Sequence, residues 1–180
     1  MIHILGLDPG FASTGWALAE LRDRPTIIEA GVIRTQKSAK RAKVLAADDN
    51  FRRCREIAGA LAPLLDRVSM VCAEAMSSAR SASNSMKVAL CWGVIAGLCE
   101  ARGLPLAQVS PQGLKKALCG RVSVTDAELH PEIERRFPEL VGALDVPRGQ
   151  REHAYDAAGA IEACRGSEVF RALEAVRRVA

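Results

Sequence analysis

The sequence predicts an α/β fold built on a mixed five-stranded sheet with helices on both faces. Three apolar, extended segments joined by short links open the chain, and the apolar pattern then changes to a helical period. Short links favour antiparallel neighbours, whereas a strand–helix–strand unit forms a right-handed parallel crossover. The order β-β-β-α-β-α-β therefore predicts three antiparallel strands, then two parallel crossovers.

Turn residues set the limits of the first strands. Residues 3–8 are apolar and end at Asp8, where the Asp-Pro-Gly sequence indicates a turn. Residues 15–21 and 26–35 follow as the second and third strands. Two later apolar runs, 68–73 and 104–109, are short enough to be buried strands, and the first of them ends at Glu74.

Helices separate and follow the last two strands. Residues 50–66 carry apolar side chains at i, i+3, i+4, i+7 and i+11, an amphipathic pattern. A second helix is predicted over 85–102, with Asn84 or Ser85 as its cap. The remaining helical segments are predicted over 112–119, 125–136 and 150–177.

Composition indicates one globular domain, residues 1–180. Hydrophobic residues make up 49% of the chain and charged residues 26%, which excludes a disordered protein. The net charge of +4 permits nucleic-acid binding without arguing for it. The six cysteines form no CxxC pair, and the N-terminus lacks the basic start of a secretory signal, so we expect a reducing, cytoplasmic location. The longest apolar run, 89–99, is shorter than the ~20 residues of a membrane span, so no membrane is expected.

The predicted helix over 85–102 is apolar around nearly its whole circumference. Such a helix must be covered on both sides. Gly93 and Gly97 lie on one face and allow another backbone to approach closely. We expect this face to form a homodimer interface; the alternative is a central helix covered within the monomer.

Three acids and a histidine fall at the ends of predicted elements. Asp8 ends the first strand, Glu74 ends the fourth, and Asp156 lies three residues after His153 near the start of the last helix. Positions i, i+3 and i+4 share a helix face, so Glu152 could project the same way. Each acid alone has a structural explanation, but together they suit hard divalent cations, which prefer oxygen ligands.

A carboxylate cage of this kind suits phosphoryl transfer. Two divalent ions about 4 Å apart can activate a water and stabilise the leaving oxygen. We expect Mg²⁺ or Mn²⁺ at Asp8, Glu74, His153 and Asp156. Because imidazole suits Mn²⁺ better than Mg²⁺, His153 predicts higher activity with Mn²⁺.

The motifs resemble the RuvC-type Holliday junction resolvases. The resemblance rests on Ile4–Gly10, Thr14–Ala17, Glu74, Lys115-Lys116 before Gly120, and His153–Ala158, in this order and spacing. It implies an RNase H-like fold and a homodimer in which each subunit nicks one strand of a four-way DNA junction at symmetric positions, leaving 5′-phosphate and 3′-hydroxyl ends. It further implies metal ligation by Asp8, Glu74 and Asp156, with His153 at a position where many members have a further Asp and some have His, and a transition-state role for Lys115. A branch-migration helicase is left open as a further partner.

Two departures from the family pattern affect DNA recognition. Ser77 stands where many members have a base-stacking aromatic. Asp126 stands in place of a second lysine, so either Arg121 supplies that charge or the alignment shifts there. Relaxed specificity for branched substrates, as in phage-type members, would fit these changes. Basic residues should bind phosphates, and serines should position the backbone. The expected DNA-binding residues are Ser77, Ser78, Arg80, Ser81, Lys87, Lys115, Lys116, Arg121, Arg148 and Arg151.

Other functions remain as alternatives. An RNase H-like nuclease of the ribosomal RNA maturation type opens with a similar hairpin but is usually shorter. An actin-like ATPase would need a second Gly-rich phosphate loop and about twice the length. A catalytically dead junction-binding module is disfavoured by the intact acids. The sequence leaves open whether the source is a bacterial cell or a phage.

Overall fold

Five strands and seven helices make up the computed structural model, which describes residues 1–76, 81–144 and 146–179. Side chains along the strands point alternately to the two faces of the sheet, and each face has its own hydrophobic core. The bounds of the strands are β1 His3–Asp8, β2 Ser13–Leu21, β3 Pro25–Arg34, β4 Met70–Glu74 and β5 Leu106–Val109. The helices are α1 Ala46–Leu65, α2 Ala82–Glu100, α3 Pro111–Cys119, α4 Asp126–Arg136, α5 Leu140–Ala143, α6 Glu152–Cys164 and α7 Glu168–Val179.

The strands form one sheet in the order β3-β2-β1-β4-β5. β1, β2 and β3 pair antiparallel, whereas β4 pairs parallel with both β1 and β5. The predicted mixed sheet is therefore confirmed. Four strands run in the same direction and end together, at what we call the carboxyl edge: Asp8, Arg34, Glu74 and Val109.

Helices cover both faces of the sheet, as predicted. On one face, Leu5 and Leu7 pack with α1 and α2 through Ile57, Leu61 and Ile95. The other face packs against α3, α4 and α6. The carboxyl edge is thus bordered by α1 and α2 on one side and by α3, α4 and α6 on the other.

Several predicted boundaries were wrong. The helix expected over 150–177 is two helices, because the chain turns at 165–167 around Gly166 before α7 begins. The first long helix begins at Ala46 rather than at residue 50. The second begins at Ala82, and its cap is Ser81, whose Oγ accepts a hydrogen bond from the backbone N–H of Asn84 at 3.3 Å.

The outer face of α2 has no cover within the described chain. Only Cys91, Ile95 and Cys99 of this helix are fully buried. A Cβ placed on Gly93 or Gly97 would meet no atom within 4 Å. Coverage of the whole helix within the monomer, the alternative interpretation of its apolar pattern, is therefore wrong.

By length and composition, α2 is also the kind of helix that can cross a membrane. It has 19 residues and a mean hydropathy of 1.2 over its 18-residue window, of which 17% is buried. One such helix is weak evidence for a membrane span, because the core helix of a soluble protein meets the same criteria of length and hydropathy.

Candidate active site

Two acids meet at the carboxyl edge because their strands are parallel neighbours. The register pairs Leu7 with Ala73, so Asp8 and Glu74 follow at adjacent strand ends. Both side chains are largely buried, and the strands that hold them lie at the centre of the sheet. The fold therefore brings together two acids that are far apart in sequence.

Helix α6 reaches these acids because glycines in the sheet let it come close. A Cβ on Gly6 would lie 2.1 Å from the Ala157 carbonyl oxygen, and one on Gly15 would lie 1.9 Å from the His153 carbonyl oxygen. Neither position can carry a side chain without moving the helix. α6 can pack this closely because many of its buried residues are small: Ala154, Ala157, Ala158, Gly159 and Ala160.

This close packing places His153 on Asp8. A hydrogen bond of 2.6 Å joins His153 Nδ1 to Asp8 Oδ2. The Asp8 side chain is 17% exposed and that of His153 is 40% exposed, so the pair faces solvent on one side. The bond to Asp8 raises the pKa of His153, against the opposing effect of burial.

Burial and neighbouring negative charge both shape the electrostatics of the site, and burial has the larger effect. Burial, followed by the carboxylates of Asp8 and Asp156, raises the pKa of Glu74 to about 8, and Lys115 acts in the opposite direction. Burial also raises the pKa of Asp8, partly opposed by the His153 bond. In both acids burial disfavours the charged carboxylate most, and the neighbouring carboxylates add to that effect.

The sequence-based prediction missed His130. This residue of α4 lies beside α6, with its Nε2 atom 3.8 Å from Asp156 Oδ1, and that nitrogen is buried without a hydrogen-bond partner in the described residues. Its ring packs on Tyr155 at 5.0 Å between centroids, and the Tyr155 hydroxyl donates to Glu134. No pattern in the sequence places α4 beside α6, so no local signal pointed to this contact.

Comparison with known proteins gives the family. A family model described as "Crossover junction endodeoxyribonuclease RuvC" matches residues 4–131. A RuvC protein of Synechococcus sp. (strain WH7803) is 31% identical over 137 residues, covering 76% of this chain and 84% of that protein. A RuvC protein of Nitratidesulfovibrio vulgaris (strain Hildenborough) is 28% identical over 120 residues, covering 66% and 68%.

The chain belongs to the RuvC family. It is a nuclease of a metal-dependent family that acts on DNA. The matched segment contains Asp8, Glu74 and Lys115 and ends before α6, so the place of His153 and Asp156 in the site rests on the geometry described above.

Solved structures agree with the RNase H-like fold expected for the RuvC family. Thermus thermophilus RuvC in complex with a Holliday junction substrate superposes with a TM-score of 0.70 at 18% identity, covering 96% of both chains. The yeast mitochondrial Holliday junction resolvase gives 0.62 at 12% identity, covering 89% of this chain and 76% of that one.

The hydrogen-bond partners of the acidic side chains show whether these side chains are already arranged to bind a metal ion. Within residues 1–76, 81–144 and 146–179, no group of three or more His, Cys, Asp and Glu side chains is already arranged around one point to hold an ion. Asp8 is instead bonded to His153, and Asp156 lies near His130. Glu152 is exposed at the rim, where it lines a cleft of about 650 Å³ with His130, Arg151 and Tyr155.

Lys115 of α3 lies close enough to the acids to affect Glu74. It lowers the pKa of Glu74, and its Nζ donates a 2.6 Å hydrogen bond to the Val124 carbonyl. Asp126 Oδ1 is 3.9 Å from the same nitrogen. The ammonium group is therefore held at the site by the loop between α3 and α4.

The expected DNA-binding residues have different outcomes. Ser77, Ser78 and Arg80 lie outside the described residues, as does the side chain of Arg148. Lys116 is exposed and Lys87 half-buried. The other side chains already have structural partners: the Ser81 hydroxyl caps α2, the Arg121 guanidinium bonds Glu128 and the Ser123 carbonyl, and Arg151 Nε donates to the Val146 carbonyl at 3.3 Å.

Proposed function

We propose that this protein resolves four-way DNA junctions by paired, symmetric hydrolysis of phosphodiester bonds. The observation that supports it is that Asp8 and Glu74 end adjacent strands, with His153 bonded to Asp8 and Asp156 near enough to raise the pKa of Glu74, in a chain of the RuvC family. The whole chain would act as one nuclease domain. Each nick would leave a 5′-phosphate and a 3′-hydroxyl end.

The donor set at the carboxyl edge fits divalent cations. Its carboxylates are oxygen ligands, and burial together with the carboxylates of Asp8 and Asp156 raises the pKa of Glu74 to about 8, an environment that a bound cation would relieve. We infer that Asp8, Glu74, His153 and Asp156 hold two ions, Mg²⁺ or Mn²⁺, with Mn²⁺ favoured by the imidazole. When bound, such ions activate water and stabilise the leaving oxygen.

The chain's own residues supply the remaining chemistry. Lys115, held by the Val124 carbonyl, presents a positive charge to the phosphate as negative charge develops on it. Burial of Asp8 and Glu74 limits water at the site, which strengthens these charge interactions. The hydrogen bond between Asp8 and His153 fixes the orientation of the imidazole ring.

Paired nicks need two active sites in one assembly, and the uncovered face of α2 supplies an interface. Ala89, Gly93, Ala96 and Gly97 are exposed on one side of this helix. Small residues in such a stripe let two helices pack closely, and burial of apolar surface stabilises the contact. We infer that two copies associate through α2. A branch-migration helicase and a cytoplasmic location stay predictions.

The test is Asp8→Asn, assayed on a labelled four-way junction, a fork, a plain duplex and a structured RNA. We expect junction binding to persist and cleavage to be lost. Asp23→Asn is the matched control, because Asp23 lies at the opposite end of the sheet with a fully exposed side chain. Normal turnover by Asp8→Asn would remove Asp8 from the site, and cleavage of RNA in preference to the junction would refute the substrate assignment.

A further inference from the structure

A basic segment between β3 and α1 has no role in the site described above. Lys37, Lys40, Arg41 and Lys43 are exposed, and none of them forms a salt bridge within the parts of the chain that the structure describes. Lys87 of α2 lines the same cleft as three of them. We call Lys37, Lys40, Lys43 and Lys87 the lysine groove.

The lysine groove lies at the same edge of the sheet as the acids. Arg34, the last residue of β3, pairs with Ser13, and Gly15 two residues later pairs with Asp8. The chain therefore leaves β3 at the carboxyl edge, two strands away from Asp8. Because neighbouring strands are about 4.8 Å apart, β3 lies about 10 Å from β1, the strand that ends at Asp8, and the groove follows three residues after β3 ends.

Interactions at its base hold the lysine groove in shape. The Asp49 carboxylate accepts hydrogen bonds from the Ser38 backbone N–H at 3.1 Å and from the Ser38 hydroxyl at 2.6 Å, and it pairs with Arg52 at 2.7 Å. Its negative charge is thereby neutralised inside the protein. The Thr35 hydroxyl donates to the Phe11 carbonyl at 2.6 Å, which ties the segment to the turn after Asp8.

The groove is an open cleft of about 320 Å³ between the basic segment and the first turns of α2. Its walls include Ser83 and Met86 as well as the four lysines. α1 and α2 cover one face of the sheet, whereas Lys115 and Lys116 belong to α3 on the other face. Positive charge therefore borders the acidic edge on both sides.

We propose that the lysine groove binds the DNA backbone on the opposite side of the scissile phosphate from Lys116. The ligand is a run of phosphates, because closely spaced ammonium groups without carboxylate partners suit a polyanion and gain from counterion release. The inference deepens the proposed function and depends on it. It assigns the groove to the arm of the junction that passes α2.

The first experiment measures junction binding by fluorescence anisotropy as a function of salt, without divalent metal. The variant Lys37→Gln/Lys40→Gln keeps the side-chain stems and removes two charges. Arg22→Gln/Arg171→Gln, which changes two exposed arginines away from the groove, is the matched control. Loss of two phosphate contacts should reduce the steepness of the plot of log affinity against log salt by about 1.8. The groove variant should therefore bind the junction about tenfold more weakly than the wild-type protein at ~50 mM salt, and this difference should largely disappear by ~200 mM.

The second experiment locates the contact. Junctions carry neutral methylphosphonates in place of phosphates, on either the 5′ or the 3′ side of the cleavage site. The groove variant should lose sensitivity to neutralisation on one side, and Lys116→Gln should lose it on the other. Sensitivity lost on the same side by both variants would overturn the placement.

The outcomes separate the two proposals. If the wild-type protein binds junctions and the groove variant has the same affinity and salt slope, the inference is wrong and an acidic protein becomes the better occupant. If the wild-type protein binds no junction, the proposed function fails and the inference with it. A melting temperature equal to that of the wild-type protein would show that reduced binding by the variant reflects lost charge rather than unfolding.

Discussion

Replacing Gly15 by alanine tests whether close packing of α6 on the sheet assembles the active site. The added Cβ would lie 1.9 Å from the His153 carbonyl oxygen and 2.3 Å from its carbonyl carbon. Both contacts are with backbone atoms, which no change of side-chain rotamer can relieve. The start of α6 would therefore have to retreat by about 1 Å or more, since packed atoms resist closer approach.

That displacement falls directly on the side chains that we propose as metal ligands. His153 would move away from Asp8, to which it is joined at 2.6 Å, and Asp156 lies one helical turn further along. A misplacement of about 1 Å at an active site can cost about 100-fold in rate. Overpacking of this kind should also cost about 1–3 kcal/mol in the free energy of unfolding. Junction binding, which depends on charges elsewhere, should change little.

The assay is single-turnover cleavage of a four-way junction at saturating enzyme, with anisotropy for binding and chemical denaturation for stability. Gly31→Ala is the matched control for stability loss, because its Cβ would meet the Trp16 ring at 2.9 Å without touching α6. Gly59→Ala, with open space around it, controls for the substitution itself. Wild-type cleavage by a folded Gly15→Ala protein would refute the idea that close packing positions the site.

Three further predictions test stability, assembly and metal preference. Hydrogen bonds, chiefly from Ser38, lower the pKa of Asp49 from 3.8 to about 2. The ionised Asp49 carboxylate therefore stabilises the fold above about pH 4, and this stabilisation is lost as the pH falls towards 2. The difference in denaturation midpoint between the wild-type protein and Asp49→Asn should shrink over that range. Gly93→Glu should convert a dimer into a monomer in sedimentation experiments, whereas Gly59→Glu on α1 should not, and an unchanged dimer would contradict the α2 interface. His153→Asp should lower the ratio of Mn²⁺ to Mg²⁺ activity, and an unchanged ratio would argue against ligation by the imidazole.

The strands could be predicted from the sequence because their signals are local. Alternation, short links and the turn after Asp8 define β1, β2 and β3 to within a few residues. The split between α6 and α7 was missed because Gly166 interrupts a segment that is otherwise a good helix former. The start of α1 was missed because its first turn, from Ala46, is exposed and carries no apolar periodicity.

The site was predictable only in part, for a related reason. Asp8 and Glu74 could be identified because strand ends are visible in the sequence and parallel strands end at one edge. His130 could not, because its place beside Asp156 depends on how α4 packs on α6 through residues such as Ile133 and Gly159. The roles of Gly6 and Gly15 were also hidden, since a glycine in a strand shows its purpose only when the neighbouring helix is present.

The same packing that assembles the site makes it unfavourable without a cation. Burial and neighbouring carboxylates raise the pKa of Glu74 to about 8, so at neutral pH this side chain mostly carries a proton. A divalent ion bound there would replace that proton, and its affinity would therefore rise with pH up to about 8. Lys115 lowers the pKa of Glu74 only in part, since that pKa remains at about 8, and β3, after which the lysine groove begins, lies two strands away from Asp8. On the proposed function, the basic residues would hold DNA and the acids would hold the metal.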